Sequence, residues 1–166
     1  MEFVRPQLAK SATEKWIAKF VPSVHVAEMK LDGHRRLVHR KGSWSRIGKD
    51  HSHPDIEKHV PDGWLLDGEI VPVDVSPGSN VVSHYLAEHP DKLKFVVFDC
   101  LWANGQNIMG KDWAFRRAAI EKLFKLHDLG SRMELSEITY MRTKADMMNA
   151  MSAASDIGCE GTMLGS

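Results

Sequence analysis

The segment "KFVVFDCLW", residues 94–102, constrains the fold more than any other stretch of the 166-residue chain. Apart from Lys94 and Asp99 it is wholly apolar, and it is rich in aromatic and β-branched residues. Such a run reads as a strand buried in a sheet, and a buried strand needs partners. Val24 to Lys30 is short and partly apolar, and Arg35 to Arg40 follows it. Asp32-Gly33 between them predicts a hairpin, because both turn positions tolerate positive φ. Ser43 to Ile47 reads as a third strand. "WLLDGEIVPV", residues 64–73, repeats Asp-Gly at 67–68. It is either a second hairpin or one strand with a glycine where another group comes close.

Helices fall between these strands. Asn80 to His89 reads as a short helix that Pro90 stops. Asp112 is placed to cap "WAFRRAAIEKLFKLH", where Phe115, Ala119, Leu123 and Leu126 recur at helical spacing. Arg116, Arg117, Glu121 and Lys125 are expected on its outer face. Thr143-Lys144-Ala145-Asp146 resembles a capping box for a helix from Met147 to Asp156, with Gly158 as terminator and the methionines as core filler. A strand-rich chain with inserted helices predicts an α+β fold of mainly antiparallel sheets.

Charge bounds the partners. The net charge is zero, with 22 Lys and Arg against 22 Asp and Glu, which argues against a simple basic coat for nucleic acid. The placement is uneven. Lys30, Arg35, Arg36, Arg40, Lys41, Arg46 and Lys49 share the window from Lys30 to Asp50 with only Asp32 and Asp50 as acids. No apolar run approaches the length that spans a bilayer, and no secretory signal opens the chain. Cys100 and Cys159 have no metal-ligand spacing, so a reduced, cytoplasmic protein is expected. His51, His53, Asp55 and His59 fit no common zinc spacing and read as a polar loop entering a helix. His34 receives no catalytic role.

The chemistry is carried by an ordered set: Lys30-x-Asp32-Gly33-x-Arg35, then Asp67-Gly68-Glu69, then Phe98-Asp99, then Glu160-Gly161. Each member alone has an ordinary structural reading. Together they resemble the successive motifs of covalent nucleotidyltransferases, the superfamily of ATP-dependent DNA ligases, RNA ligases and mRNA capping enzymes. The closer likeness is to bacterial and phage ATP-dependent DNA ligases, through "RPQLA", "AEMKLDGHR", "SRIGKD", "LLDGEIV" and "FVVFDCLWANGQNI". A capping-type guanylyltransferase and a non-catalytic module that binds nucleotide or nucleic acid are the alternatives.

The resemblance implies the ligase and capping-enzyme nucleotidyltransferase fold, and a single adenylation domain over residues 1–166. ATP and Mg²⁺ are the implied cofactors, and nicked double-stranded DNA the implied partner, in replication or repair. Lys30 would accept the adenylate, with Arg35 beside it. Glu28 would read the adenine amino group, Glu69 would contact ribose and metal, Phe98 would stack on adenine, Glu160 would help hold metal, and Arg46 would touch DNA. The family places lysine after its "EGxML" motif, and a further motif with two lysines beyond. Gly165-Ser166 stands here instead, so the expectation is an incomplete domain with weak activity and no oligonucleotide-binding barrel.

Overall fold

The computed structural model describes residues 3–6, 10, 25–156 and 161–165. In chain order the elements begin with β1 (Val26–Lys30), β2 (His34–His39), β3 (Gly42–Ser45), β4 (Asp50–His51) and helix α1 (Pro54–Glu57). Then come β5 (Leu65–Pro72), α2 (Ser79–Glu88), β6 (Leu93–Ala103), β7 (Gln106–Asn107) and α3 (Trp113–Leu126). The last are β8 (Met133–Leu135), β9 (Ile138–Tyr140), α4 (Lys144–Asp156) and β10 (Gly161–Gly165). They divide into two compact units. One is Met1–Pro6 with Asp32–Ser136, and the other is Gln7–Leu31 with Glu137–Ser166.

The first unit holds a sheet in the order β4-β3-β2-β5-β6-β7, antiparallel throughout, with β8 added parallel to β6. "KFVVFDCLW" lies within β6, the strand with the most partners, as its composition requires. One face of the sheet packs on the helices. Val38, Leu66, Ile70, Phe95, Val97 and Cys100 from the strands join Ile56, Val82, Ile120 and Leu123 from α1, α2 and α3 in one buried core. The alternation of side chains along a strand sends the intervening residues to the other face. There Leu37, Leu65 and Leu101 form a smaller cluster with Phe3, Trp44 and Trp102.

The second unit has a three-stranded antiparallel sheet in the order β10-β1-β9. Ala27 of β1 is buried with Met141 and with Met147 of α4. That helix starts at Lys144, ahead of the expected Met147, on the expected capping box: Thr143 Oγ1 accepts from the Asp146 amide at 3.2 Å, and Asp146 Oδ2 accepts from the Thr143 amide at 2.8 Å. Its methionines are not all filler, since Met148 is exposed. Gly158, its expected terminator, lies outside the described residues.

The structure corrects two expectations. Asp32-Gly33 joins no hairpin: β1 pairs with β9 and β10, while β2 pairs with β3 and β5. Gly33 has no left-handed φ; it is needed because a Cβ there would strike the Ile70 carbonyl oxygen of the neighbouring strand. Helix α3 is capped by Asp112, which accepts from the Phe115 amide at 2.8 Å, but its buried face is Arg117, Ile120 and Leu123. Phe115 and Leu126 are exposed. Arg117 turns inward because its Nη2 donates to the Ser136 carbonyl at 2.8 Å and its Nε to Glu121 at 2.8 Å, which offsets the cost of burying it. "WLLDGEIVPV" resolves to the second of its two readings. It is one strand, and a Cβ on Gly68 would strike the Val96 carbonyl oxygen and the Phe95 ring.

Candidate nucleotide site

The pairing of β5 with β6 is regular except at two places. Asp67 lies opposite Asp99 and Gly68 opposite Val97, so Phe98 is an extra residue on its strand. A bulge of this kind re-aims the side chain that it inserts. Before it, Leu93, Phe95 and Val97 alternate into the helix-covered core, and after it the core residue is Cys100. Phe98 is left half-buried and outside that core, with the Arg35 guanidinium carbon 5.3 Å from the centre of its ring. Period-two reasoning over "KFVVFDCLW" does not find the bulge.

Arg35 stands diagonally across from Asp67 and is bound to it twice. Nε donates to Oδ1 at 2.9 Å and Nη2 to Oδ2 at 2.7 Å. The Asp67 side chain is 3% exposed and that of Arg35 22%. Burial pushes the Asp67 carboxyl above its usual range, against the pull of Arg35, and the charge of Asp99 adds to the rise. Burial opposes the charge on Arg35 as well. The bonds and charge of Asp67, with Glu69 and Asp99 behind them, outweigh it and raise the pKa. The guanidinium is therefore a fixed cation under the half-buried Glu69, its in-register neighbour on β5. Asp99 is held in turn by Arg116, Nε to Oδ1 at 2.8 Å and Nη2 to Oδ2 at 2.9 Å.

Arg35, Glu69 and Phe98 thus lie together in one region of the first unit. The residues that fix them, Asp67, Asp99 and Arg116, were not singled out by sequence. Asp67 and Asp99 sat inside quoted motifs without a role, and nothing in the sequence linked Arg116 to either. Arg46 is exposed in the turn between β3 and β4, which the Ser45 amide and carbonyl close on Lys49 and Gly48.

Lys30 and Glu28 belong to the second unit. Both are half-buried and lie on one face of β1, opposite the face where Ala27 packs on Met141 and Met147. Lys30 is the last residue of the strand, paired with Gly161 of β10; Glu28 pairs with Met163 on one side and Ile138 on the other. Glu160 lies outside the described residues. Among the described residues, no cluster of His, Cys, Asp and Glu has metal-holding geometry; His51 ends β4, His53 caps α1 and Asp55 lies in its first turn. No helix among them is long and apolar enough to cross a membrane.

Comparison with known proteins places the chain in a family. The family model of the ATP dependent DNA ligase domain matches residues 6–166. The chain belongs to that family. It is 27% identical over 182 residues to a probable DNA ligase of Persephonella marina, covering 95% of this chain and 30% of that protein. The chain therefore spans about a third of the length of the curated relatives it matches. The ligase domain of M. tuberculosis LigD superposes with a TM-score of 0.67 at 24% identity, over 84% of this chain and 47% of that one. The Chlorella virus DNA ligase-adenylate superposes with a TM-score of 0.70 at 18% identity, over 92% and 56%. These likenesses establish the nucleotidyltransferase fold, and they favour the ligase family over the capping-type alternative.

Proposed function

We propose that this chain is the nucleotide-binding part of an ATP-dependent DNA ligase and that Lys30 carries the adenylate. The family match running through Lys30-x-Asp32-Gly33-x-Arg35 is the observation that carries this reading. In the first step the neutral Lys30 amine attacks the α-phosphorus of ATP. The N–P bond forms, the bond from the α-phosphorus to the bridging oxygen breaks, pyrophosphate leaves and the amine proton passes to solvent. An ammonium has no lone pair to attack with, so nearby positive charge that favours the free amine assists the step. Arg35 supplies fixed positive charge toward the phosphates, because Asp67 prevents it from swinging away. Phe98 offers a flat apolar face for the adenine, and Glu28 an acceptor for its amino group.

Mg²⁺ binds through one or two carboxylates together with waters and substrate phosphates. Glu69, half-buried and not enclosed, fits that role, and Glu160 is the second carboxylate the family resemblance offers. The ion would offset negative charge on the phosphates. The adenylate would then pass from Lys30 to the 5′-phosphate of nicked duplex DNA, with Arg46 on the exposed β3–β4 turn as a phosphate contact.

Intact mass after incubation with ATP and Mg²⁺ tests the reading. An added adenylate that is absent from Lys30→Ala and Lys30→Arg is expected, since a guanidinium stays protonated. Labelling that survives both substitutions, or that occurs with GTP alone, would overturn it.

A further inference from the structure

The bulge that displaces Phe98 also brings two carboxylates opposite each other. Asp67 on β5 and Asp99 on β6 are partners in the register, and Phe98 is the extra residue beside that pair. Like charges directly opposite on neighbouring strands destabilise a sheet. Here each carboxylate has its own arginine. Arg35 holds Asp67 through Nε and Nη2, at 2.9 and 2.7 Å. Arg116 of α3 holds Asp99 through Nε and Nη2, at 2.8 and 2.9 Å. The two pairs form a row, Arg116–Asp99 and then Asp67–Arg35, and the row ends on the guanidinium beside the Phe98 ring.

Arg116 is committed on several sides. Its Nη1 donates to the Lys111 carbonyl just ahead of α3, and its own carbonyl accepts from Cys100 Sγ at 3.5 Å. Asp99 Oδ1 accepts from the Cys100 amide as well, at 2.8 Å. The start of α3 therefore grips Asp99 and Cys100, the two residues that follow Phe98 on β6. Fastening the helix to the sheet does not need these bonds. Ile120 and Leu123 are buried in the shared core, and Arg117 Nη2 donates to the Ser136 carbonyl. The side chains of Arg116 and Asp99 are 16% and 22% exposed, so solvent screens their attraction only in part.

We propose that Arg116 is a positioning residue for nucleotide binding, acting through Asp99 on both Phe98 and Arg35. Arg116 has this role only if ATP binds at the proposed site, so it rests on that reading and adds to it a residue from outside the sheet. Phe98 is the unpaired residue of the bulge, and the ladder does not fix its backbone. The anchored Asp99 next to it does. Arg35 is the second target. Without Arg116 the Asp99 charge is unbalanced and competes with Asp67 for the Arg35 guanidinium, which then leaves the place that Asp67 alone gives it. A lysine at 116 would supply the charge without the fork that bonds both carboxylate oxygens.

The test measures binding of ATP and of inorganic triphosphate to the whole chain by calorimetry, in a Lys30→Ala background where no adenylate forms on that residue. Triphosphate reports on Arg35, and ATP on Arg35 and Phe98 together. Arg116→Met should weaken ATP binding by about tenfold or more, the size of a lost base stack, and triphosphate binding by less. Arg116→Lys should fall between the two chains, and serves if Arg116→Met folds poorly. Asp99→Asn added to Arg116→Met removes the unbalanced charge. Triphosphate affinity should then return, while ATP affinity returns only in part because Phe98 stays unanchored. An ion pair that merely fastens α3 would lower the melting temperature without this split. Unchanged ATP affinity in a folded Arg116→Met or Arg116→Lys chain overturns the proposal, as does a double variant that recovers no triphosphate binding. ATP binding without any gain in mass by the chain that keeps Lys30 counts against the adenylate reading alone. Absence of ATP binding from both chains overturns the two together.

Discussion

Arg35 grips both carboxylate oxygens of Asp67, at 2.9 and 2.7 Å, while the same guanidinium lies 5.3 Å from the Phe98 ring centre. One residue thus ties the floor of the candidate site to its aromatic wall. Asp67→Ala removes a carboxylate that is 3% exposed and leaves Arg35 without that partner. Breaking a buried pair from one side typically costs about 3–5 kcal/mol. Urea unfolding should show a loss of that order, together with loss of adenylate formation. A stability change near zero would mean that Arg35 finds another anchor.

Phe98 separates a stacking role from a packing role. A core phenylalanine cut to alanine costs about 3–5 kcal/mol. Phe98 is displaced from the core by its bulge, so Phe98→Ala should cost less than that. Base stacking is worth about 1–3 kcal/mol, and ATP affinity should fall accordingly. Melting temperature and nucleotide affinity, measured on the same sample, decide between the two. A large stability loss at unchanged affinity would return Phe98 to the core.

Gly68→Ala should damage the fold of the first unit although it adds only a methyl group. The new Cβ would meet the Val96 carbonyl oxygen and the Phe95 ring, and neither is a flexible chain end. Forced overpacking costs about 1–3 kcal/mol or more. A variant that melts with the wild type would show that β5 and β6 can part at this point without cost.

Much of this was legible in the sequence for one reason: it depended on local pattern. The buried β6 strand, the Asp112 cap and the Thr143–Asp146 capping box each express a rule that operates over a few residues. The order Lys30, Arg35, Glu69, Phe98 carried the family. What the sequence did not disclose depends on pairing across distance. The Asp-Gly at 32–33 looked like a hairpin because the local signal does not say which sheet each strand joins. Asp67, Asp99 and Arg116 gained roles only from a register in which two aspartates face each other and a helix supplies the second arginine. The inward turn of Arg117 follows from Ser136, a neighbour in space that helical periodicity ignores.

Arg46 gives a nucleic-acid prediction that salt can check. It is exposed on a closed turn beside the exposed Lys49, so its charge is screened like any surface cation. DNA affinity of the chain should be weak and fall steeply with salt, since counterion release drives such contacts. Arg46→Ala should lower affinity at low salt and flatten the slope of log affinity against log salt by about one unit, the share of one phosphate contact. An unchanged slope would remove Arg46 from the interface.

The depressed pKa of His53 makes a statement about stability against pH. Burial is its largest cause, followed by the charges of Arg36, His51, His34 and Arg132, and together they lower it from 6.5 to about 4. In the unfolded chain the ring binds its proton near the ordinary value, so as pH falls below 6.5 the unfolded state gains protons first. Stability from the neutral His53 is therefore fully present above pH 6.5 and is lost progressively down to about pH 4. At about 1.4 kcal/mol per pKa unit the loss is on the order of 3 kcal/mol. His53→Gln cannot titrate, so the difference in unfolding free energy between wild type and variant isolates this contribution from the acidic groups. In phosphate-free buffer that difference should shift against the wild type by a few kcal/mol between pH 7.5 and pH 4. Adding Arg36→Met to both chains removes the second-largest cause, and the pH window should narrow from its acid end. A difference that stays flat with pH would mean that the imidazole is solvated and charges as freely in the folded protein as in the unfolded one.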